Sequence, residues 1–208
     1  RVVTAFPNMM KSYFAESMFK QASSKGIVEF EIWDLRDFTK DKHRQIDDTP
    51  YGGGAGMVLK PEPFFRAYDK IITESNQEKP VIIMPTPQGN KLNHKLSVDL
   101  TKYEEISFFC GHYKGVDERV RENLVTREIS IGDYVLTGGE LPALVIIDSL
   151  IRHIPQVLNN YNSARTDSFA DQLLEGPIYT KPREFRGHKV PDILLSGHHQ
   201  KIKEWRKK

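Results

Sequence analysis

The segment from Ser130 to Pro142 (SIGDYVLTGGELP) places three glycines and one proline between a β-rich stretch and a strongly apolar helix. Glycine lets a ligand or another backbone approach closely, but it loses more conformational entropy on folding than alanine does. A plain surface turn would explain a single Gly-Gly pair. Two further glycine clusters, residues 51–57 (YGGGAGM) and 111–115 (GHYKG), favour a binding site shaped by loops.

Short apolar segments typical of buried strands alternate along the chain with segments typical of helices. Strands are predicted at residues 2–6, 27–35, 81–84 and 106–110, and helices from Asn8, from Pro61, and over 92–100, 117–124 and 141–154. This alternation predicts an α/β domain with a mostly parallel sheet, whose site lies in the loops at the strand ends. A polar linker or functional loop is predicted over 155–168, with a smaller unit after it.

Charge, cysteine content and apolar run length exclude few classes of protein. A net charge of +2 over 208 residues gives no general requirement for nucleic acid. Residues 181–208 hold nine Lys or Arg against three acids, so this end is either a phosphate-binding surface or a solvated helix. A single cysteine rules out an internal disulfide and fits a cytoplasmic protein. The longest apolar run, 141–151, is shorter than the roughly 20 residues of a membrane helix.

Common nucleotide and metal motifs are absent from the sequence. A dinucleotide-binding fingerprint would need glycine in place of Met57, and no P-loop occurs. The histidines and the one cysteine do not have zinc-site spacing, so no metal site is predicted. Cys110, with His112 nearby, is either a nucleophile or a buried structural residue, and free cysteines are most often buried.

Taken together, the glycine clusters resemble those of bacterial tRNA (guanine-N1)-methyltransferases of the SPOUT family. The resemblance runs from Phe6 to Arg206, with the motifs in the same order and at near-identical spacing. Its other motifs are residues 87–89 (PQG), 110–113 (CGHY), 115–119 (GVDER), 166–169 (TDSF) and 191–197 (PDILLSG). It implies a knotted catalytic domain over 1–160 with a deep C-terminal trefoil knot, a flexible linker over 161–171, and the start of a small, mainly helical tRNA-binding domain over 172–208.

The resemblance also implies the reaction and its partners. S-adenosylmethionine is the expected methyl donor, S-adenosylhomocysteine the product, and guanosine at tRNA position 37 the acceptor. The enzyme is expected to be a cytoplasmic homodimer with its active site at the subunit interface, not associated with a membrane. The donor-binding residues implied by the match are Thr86, Pro87, Gly89, Gly111, Tyr113, Gly115, Ser130, Ile131, Gly132, Asp133, Tyr134, Val135, Leu136, Gly138, Gly139 and Pro142.

Two residues match the family's catalytic pair. Asp167 aligns with the aspartate that removes the guanine N1 proton, and Arg152 with the arginine that stabilises charge on O6. From the residues alone, Arg152 pairs with Asp148 four residues earlier on a helix. By the same reasoning, Asp167 caps a helix that begins at Ser168.

Lys114 departs from the family pattern. It stands where the family usually carries glutamate, which removes a carboxylate for Mg²⁺ and leaves the expected magnesium dependence open. Two other functions also stay open. One is a non-catalytic RNA-binding protein that uses the basic end and Trp205, and the other is a knotted methyltransferase acting on another RNA position.

Overall fold

A five-stranded, entirely parallel sheet forms the centre of the larger of two units, Arg1–Asn159. The structure is a computed structural model that describes residues 1–77, 79–158, 168–169 and 176–206. The strands of this unit are β1 (Val2–Thr4), β2 (Ile32–Asp34), β3 (Asp47–Asp48), β4 (Val58–Leu59), β5 (Val81–Lys91), β6 (Ile106–Phe109) and β7 (Arg127–Ser130). The sheet order is β2-β1-β6-β5-β7, and β3 pairs separately with β4. The predicted mostly parallel α/β fold is confirmed.

Helices cover both faces of this sheet. They are α1 (Pro7–Phe14), α2 (Ser17–Ser24), α3 (Pro61–Glu74), α4 (His94–Leu100), α5 (Glu118–Leu124) and α6 (Glu140–Ile151), with a 3-10 helix at Leu35–Phe38. Side chains alternate between the two faces of a strand. Val2 and Phe108 therefore pack with α1, α2, α4 and α6, whereas Val3 and Phe109 pack with α3 and α5. The result is a three-layer α/β/α arrangement with a core on each side of the sheet.

Some predicted elements are shorter than expected. The predicted strand 27–35 is a strand only at Ile32–Asp34. It ends there because the Asp34 carboxylate accepts the N–H of Arg36 at 2.9 Å and turns the chain into the 3-10 helix. The first predicted helix is divided at Ser17, whose φ of 49° breaks the α-helical path. The helix predicted from Pro61 is confirmed, with proline in its first turn.

β5 continues beyond the proline where it was predicted to stop. Pro85 and Asn90 both align with Ile129 of β7, so residues 86–89 bulge out of an otherwise continuous pairing. Pro85 and Pro87 cannot donate to the ladder, which explains the interruption. The bulge lies at the edge of the sheet where β6 and β7 also end.

The second unit, Asn160–Lys208, is described over residues 168–169 and 176–206. It contains a hairpin of β8 (Glu184–Phe185) and β9 (His188–Lys189), followed by α7 (Asp192–Leu195) and α8 (His199–Arg206). Asp167 and most of the predicted linker lie outside the described residues, so the predicted domain boundaries stay predictions. Among the helices described in either unit, not one has the length and apolar character needed to cross a bilayer.

Candidate functional site

A cavity of about 590 Å³ lies at the carboxyl edge of the sheet, where the loops after β6 and β7 meet the bulge of β5. Fourteen of the sixteen residues predicted to bind the donor line this cavity. They are Thr86, Pro87, Gly111, Tyr113, Gly115, Ser130, Ile131, Gly132, Tyr134, Val135, Leu136, Gly138, Gly139 and Pro142. Three sequence segments that are distant along the chain therefore form one site.

Gly89 and Asp133, the other two predicted residues, do not line this cavity. Gly89 packs against the backbone of Glu128 in β7. The Asp133 carboxylate points to Lys91, with 2.7 Å between Oδ2 and Nζ. Several further wall residues are absent from the predicted set and have no separate sequence signal. They lie in the same loops or in the adjoining β5, β7 and α5: Met84, Pro85, Gln88, His112, Val116, Glu118, Arg121, Ile129 and Thr137.

Main-chain bonds join two walls of the cavity. The N–H of Gly139 donates to the Gly111 carbonyl at 2.7 Å, and His112 forms a β-bridge with Gly138. A Cβ atom at position 139 would lie 2.9 Å from the nitrogen of Gly111 and 3.0 Å from the Cα of Cys110. Glycine is therefore required at position 139 for the two loops to approach this closely.

The glycine-rich loop 51–57 is attached to the outside of the 111–115 loop. The N–H of Lys114 donates to the Met57 carbonyl and the N–H of Leu59 to the Gly115 carbonyl, both at 2.9 Å. Tyr51, at the start of this loop, is exposed. Residues 51–57 are absent from the cavity wall, so this third glycine cluster flanks the site in the described chain.

A buried carboxylate lies behind the cavity and was not predicted. Glu140 is only 2% exposed, and its Oε1 accepts the hydroxyl of Thr4 at 2.6 Å. Its Oε2 is 3.7 Å from Nδ1 of His112, a residue of the cavity wall. The first residue of α6 thus contacts β1 and the 111–115 loop.

Cys110 is a structural residue. It is completely buried at the end of β6. Burial raises the pKa of its thiol well above the usual range, and the nearby Glu140 carboxylate raises this pKa further. The suppressed thiolate form and the buried sulfur both argue against a nucleophilic role for Cys110.

A second cavity, of about 680 Å³, lies along the edge strand β7 and includes Gly89. Two of its basic side chains are already engaged. Arg127 donates to the Tyr103 hydroxyl at 2.6 Å, and Arg121 contacts the Glu128 carboxylate at 3.3 Å. The cavity of about 590 Å³ is the better candidate for the donor site, because the glycine-containing loops converge there.

Comparison with known proteins gives a family match over the whole chain. The family model described as tRNA (Guanine-1)-methyltransferase TrmD matches residues 1–208. The chain belongs to this family. A trefoil knot is an implication of that membership, and an S-adenosylmethionine donor is general among these methyltransferases.

Relatives of the tRNA (guanine-1)-methyltransferase family match almost the whole chain. The tRNA (guanine-N(1)-)-methyltransferase of Shouchella clausii is 57% identical over 205 residues, 99% of this chain and 83% of that protein. The Clostridioides difficile enzyme of the same name is 52% identical over 99% of this chain and 89% of that protein. The crystal structure of tRNA (m1G37) methyltransferase from Aquifex aeolicus superimposes with a TM-score of 0.81 at 46% identity, covering 98% of this chain and 85% of that one.

The described residues around this cavity do not offer a set of ligands that fits a magnesium ion. Groups of three or more His, Cys, Asp or Glu side chains suited to a metal do not occur in the described part of the chain. Glu118 lines the cavity, but its carboxylate accepts from Nε of Arg121 at 2.9 Å. Lys114 adds a positive charge to the same wall, which opposes cation binding.

Of the two predicted catalytic residues, the structure describes only Arg152, which does not line this cavity within one chain. Arg152 is exposed and follows the last residue of α6, whereas Pro142 near the start of α6 lines the cavity. At a rise of about 1.5 Å per residue, these two positions are about 15 Å apart along the helix. Asp167 lies outside the described residues, so its catalytic role stays a prediction.

Proposed function

We propose that this protein transfers a methyl group from S-adenosylmethionine to N1 of guanosine 37 in tRNA. The single observation that carries this proposal is the convergence of three loops, from β5, β6 and β7, on one cavity in a member of the tRNA (guanine-1)-methyltransferase family. The Aquifex aeolicus protein, named for methylation at this position, shares the fold at 46% identity.

Adenosine fits the character of the cavity walls. Main-chain groups of Gly111 and Gly138 line the cavity and have no side chain of their own to cover them, whereas the N–H and C=O of Gly139 are bonded to Gly111 and Ala143. Ile131 and Leu136 supply apolar surface, and about 590 Å³ lies within the usual range for small-molecule sites. When bound, S-adenosylmethionine supplies a methyl group on a positively charged sulfur.

The acceptor needs a base because guanine N1 carries a proton at neutral pH. We assign this role to Asp167 on the basis of the family match. An ordinary aspartate has a pKa near 3.9, so proton removal is either concerted with methyl transfer or assisted by burial of the carboxylate. A positioned base contributes about 10² to 10⁴ in rate. Arg152 would stabilise the charge that develops on guanine O6.

An active site at a homodimer interface would bring Arg152 to the donor. Within one chain Arg152 is about 15 Å from the cavity wall along α6. The outer faces of α1 and α6 carry apolar pairs at helical i, i+4 spacing: Met9 with Tyr13, and Leu141 with Val145, all at least 40% exposed. Exposed apolar residues grouped in this way mark an interaction surface.

These two helices belong to one continuous surface. The pKa of Tyr13 on α1 is raised by partial burial and by the charge of Asp148 on α6. Val135, in the loop before α6, is 82% exposed and extends the apolar surface to the rim of the cavity. A second copy seated here would cover apolar surface on both subunits and carry its own Arg152 towards this cavity.

Basic residues of the C-terminal unit would contact the tRNA. In the described C-terminal unit, Arg183, Arg186 and Lys189 surround the β8–β9 hairpin and are exposed. Such groups neutralise phosphates without reading sequence. The proposed compartment is the cytoplasm. Magnesium is left out of the proposed reaction because the described cavity does not fit it.

Methyl transfer to defined transcripts tests the proposal. The protein is incubated with S-adenosylmethionine labelled in the methyl group and with a tRNA transcript carrying G37, and the modified nucleotide is mapped by nuclease digestion and mass spectrometry. We expect 1-methylguanosine at position 37, and none in the matched transcript with A37. Labelling at another nucleotide would favour a different knotted methyltransferase, and donor-independent tRNA binding without labelling would favour an RNA-binding protein.

A further inference from the structure

One oxygen of the Glu140 carboxylate accepts a hydrogen bond, and the other faces His112 in the cavity wall. Thr4, at the end of β1, donates to Oε1 at 2.6 Å. Oε2 faces Nδ1 of His112 at 3.7 Å, about 1 Å beyond an ordinary hydrogen bond. A buried charge without hydrogen-bond partners is energetically costly, so a hydrogen bond to Oε2 would be stabilising.

His112 presents a complementary, unsatisfied atom to this carboxylate. Its Nδ1 is buried and has no hydrogen-bond partner in the described structure. A carboxylate can only accept a hydrogen bond, so the nitrogen that faces it carries the proton. In a neutral imidazole, a proton on Nδ1 leaves Nε2 as an acceptor.

The rest of the His112 side chain is partly exposed, and His112 lines the cavity of the donor site. The exposed fraction of this side chain is 21%, although Nδ1 is buried. Phe6 and Tyr113 contact the ring, with centroids 4.4 Å and 4.9 Å away, and these contacts restrict its orientation. A rotation of the ring that moves Nδ1 by about 1 Å would complete the hydrogen bond to Glu140.

Gly138 keeps the space between Glu140 and His112 open. A Cβ atom at position 138 would overlap both the Oε2 atom of Glu140 and the Nδ1 atom of His112. The β-bridge between His112 and Gly138 fixes the main chain at the same place. The loop is therefore shaped so that the carboxylate and the imidazole face each other without an intervening side chain.

We propose that Glu140 is a positioning residue of the donor site. Anchored by Thr4, its carboxylate holds the His112 proton on Nδ1, so that Nε2 is presented as a hydrogen-bond acceptor to an N–H or O–H group of the donor. This inference rests on the proposed function only for the identity of the donor. The tautomer itself is a property of the ligand-free protein.

The tautomer is measured directly in the unmodified chain. Protein labelled with ¹⁵N in its histidine rings is examined by NMR, and the His112 signals are assigned by their loss in His112→Asn. We expect hydrogen bonded to Nδ1 and an unprotonated Nε2. Hydrogen on Nε2, either alone or together with hydrogen on Nδ1, would overturn the proposal, whatever the enzyme's activity.

Donor affinity provides the second test, by titration calorimetry with S-adenosylmethionine. We expect Glu140→Gln to weaken binding about tenfold, the effect of replacing a charge-assisted hydrogen bond by a neutral one. In the His112→Asn background, the same change should cost less than about twofold, because its effect acts through His112. Thr4→Val should weaken binding in the same direction, and Thr4→Ser should restore it.

Three results separate the explanations. Equal loss from Glu140→Gln with and without His112 would show a merely structural role, and an affinity within twofold of wild type would remove the role altogether. Melting temperatures of all variants identify any that fail to fold. Failure of the wild-type protein to bind S-adenosylmethionine would contradict the proposed function instead, while the NMR result would still decide the tautomer.

Discussion

The main-chain N–H of Gly139 donates to the Gly111 carbonyl at 2.7 Å, so the segment that begins α6 is bonded directly to the loop that follows β6. Gly139→Ala should push these segments apart, because its Cβ would lie 2.9 Å from the Gly111 nitrogen. We expect a loss of about 1–3 kcal/mol in the free energy of unfolding and at least tenfold weaker donor binding. Denaturant unfolding and calorimetry measure the two effects.

Gly26→Ala is the matched control for this prediction. Gly26 has a φ of +67°, but a Cβ there would meet no atom within 4 Å. The substitution should cost about 1–2 kcal/mol of backbone strain and leave donor affinity unchanged. If both variants weakened donor binding equally, general destabilisation would replace the local explanation.

Mixed dimers test whether Arg152 acts on the donor site of the other subunit. Arg152→Ala should bind donor normally and lose turnover, whereas Gly139→Ala should lose donor binding. Mixed as equal populations, the two inactive variants should recover about a quarter of wild-type activity, since half of the dimers would each contain one intact site. Absence of recovery in dimers shown to exchange subunits would place Arg152 in the site of its own chain.

A charge on the outer face of α6 should dissociate the proposed dimer. Val145 is 46% exposed, and Val145→Asp would place a carboxylate in an apolar interface without a partner. We expect a monomer by light scattering and loss of methyl transfer. Ile72 on α3 is 44% exposed, so Ile72→Glu is the control and should remain dimeric. A Val145→Asp dimer of normal stability would contradict the proposed interface.

Lys114 should contribute to tRNA binding through its charge. It is exposed at the cavity wall, and its main chain is fixed by the bond to Met57. Lys114→Gln should raise the KM for tRNA about threefold and lower the salt dependence of binding by about one counterion. Lys114→Glu should raise KM further, because it adds repulsion. Unchanged salt dependence in both variants would show that Lys114 does not meet phosphate.

Cys110 should be inert in the native protein. Burial raises the pKa of its thiol, so at pH 8 very little of it is thiolate, and reagents cannot reach the sulfur. We expect iodoacetamide to label Cys110 only after unfolding, as followed by mass spectrometry. Rapid labelling of the folded protein would contradict this assignment and would reopen a nucleophilic role.

Local sequence patterns predicted the helix from Pro61, the strand over 106–110 to within one residue of its observed end, and the parallel α/β architecture. They failed where pairing between distant segments decides the structure. β5 resumes after Pro85 because Asn90 pairs with Ile129 on β7, and neither proline reveals that partner. A knot is likewise a property of the path of the whole chain, and only the family resemblance could indicate it.

The site was predicted in outline from its glycines, and less well from its polar side chains. Asp133 belongs to the right segment, but its carboxylate turns away to Lys91. Glu140 was missed because its partner, Thr4, is 136 residues away and meets it only when β1 and α6 come together. A glycine pattern shows where main chain must come close, but it does not show which side chains surround that contact.

The main-chain construction of the cavity also bears on inhibition. A compound that hydrogen-bonds to the peptide groups of Gly138 would recognise main-chain atoms that remain in place when side chains change. A side chain at position 138 would block such a compound, but its Cβ would overlap His112 of the facing loop and disturb the site that the natural donor needs. Escape from such a compound would therefore carry a direct loss of enzymatic fitness.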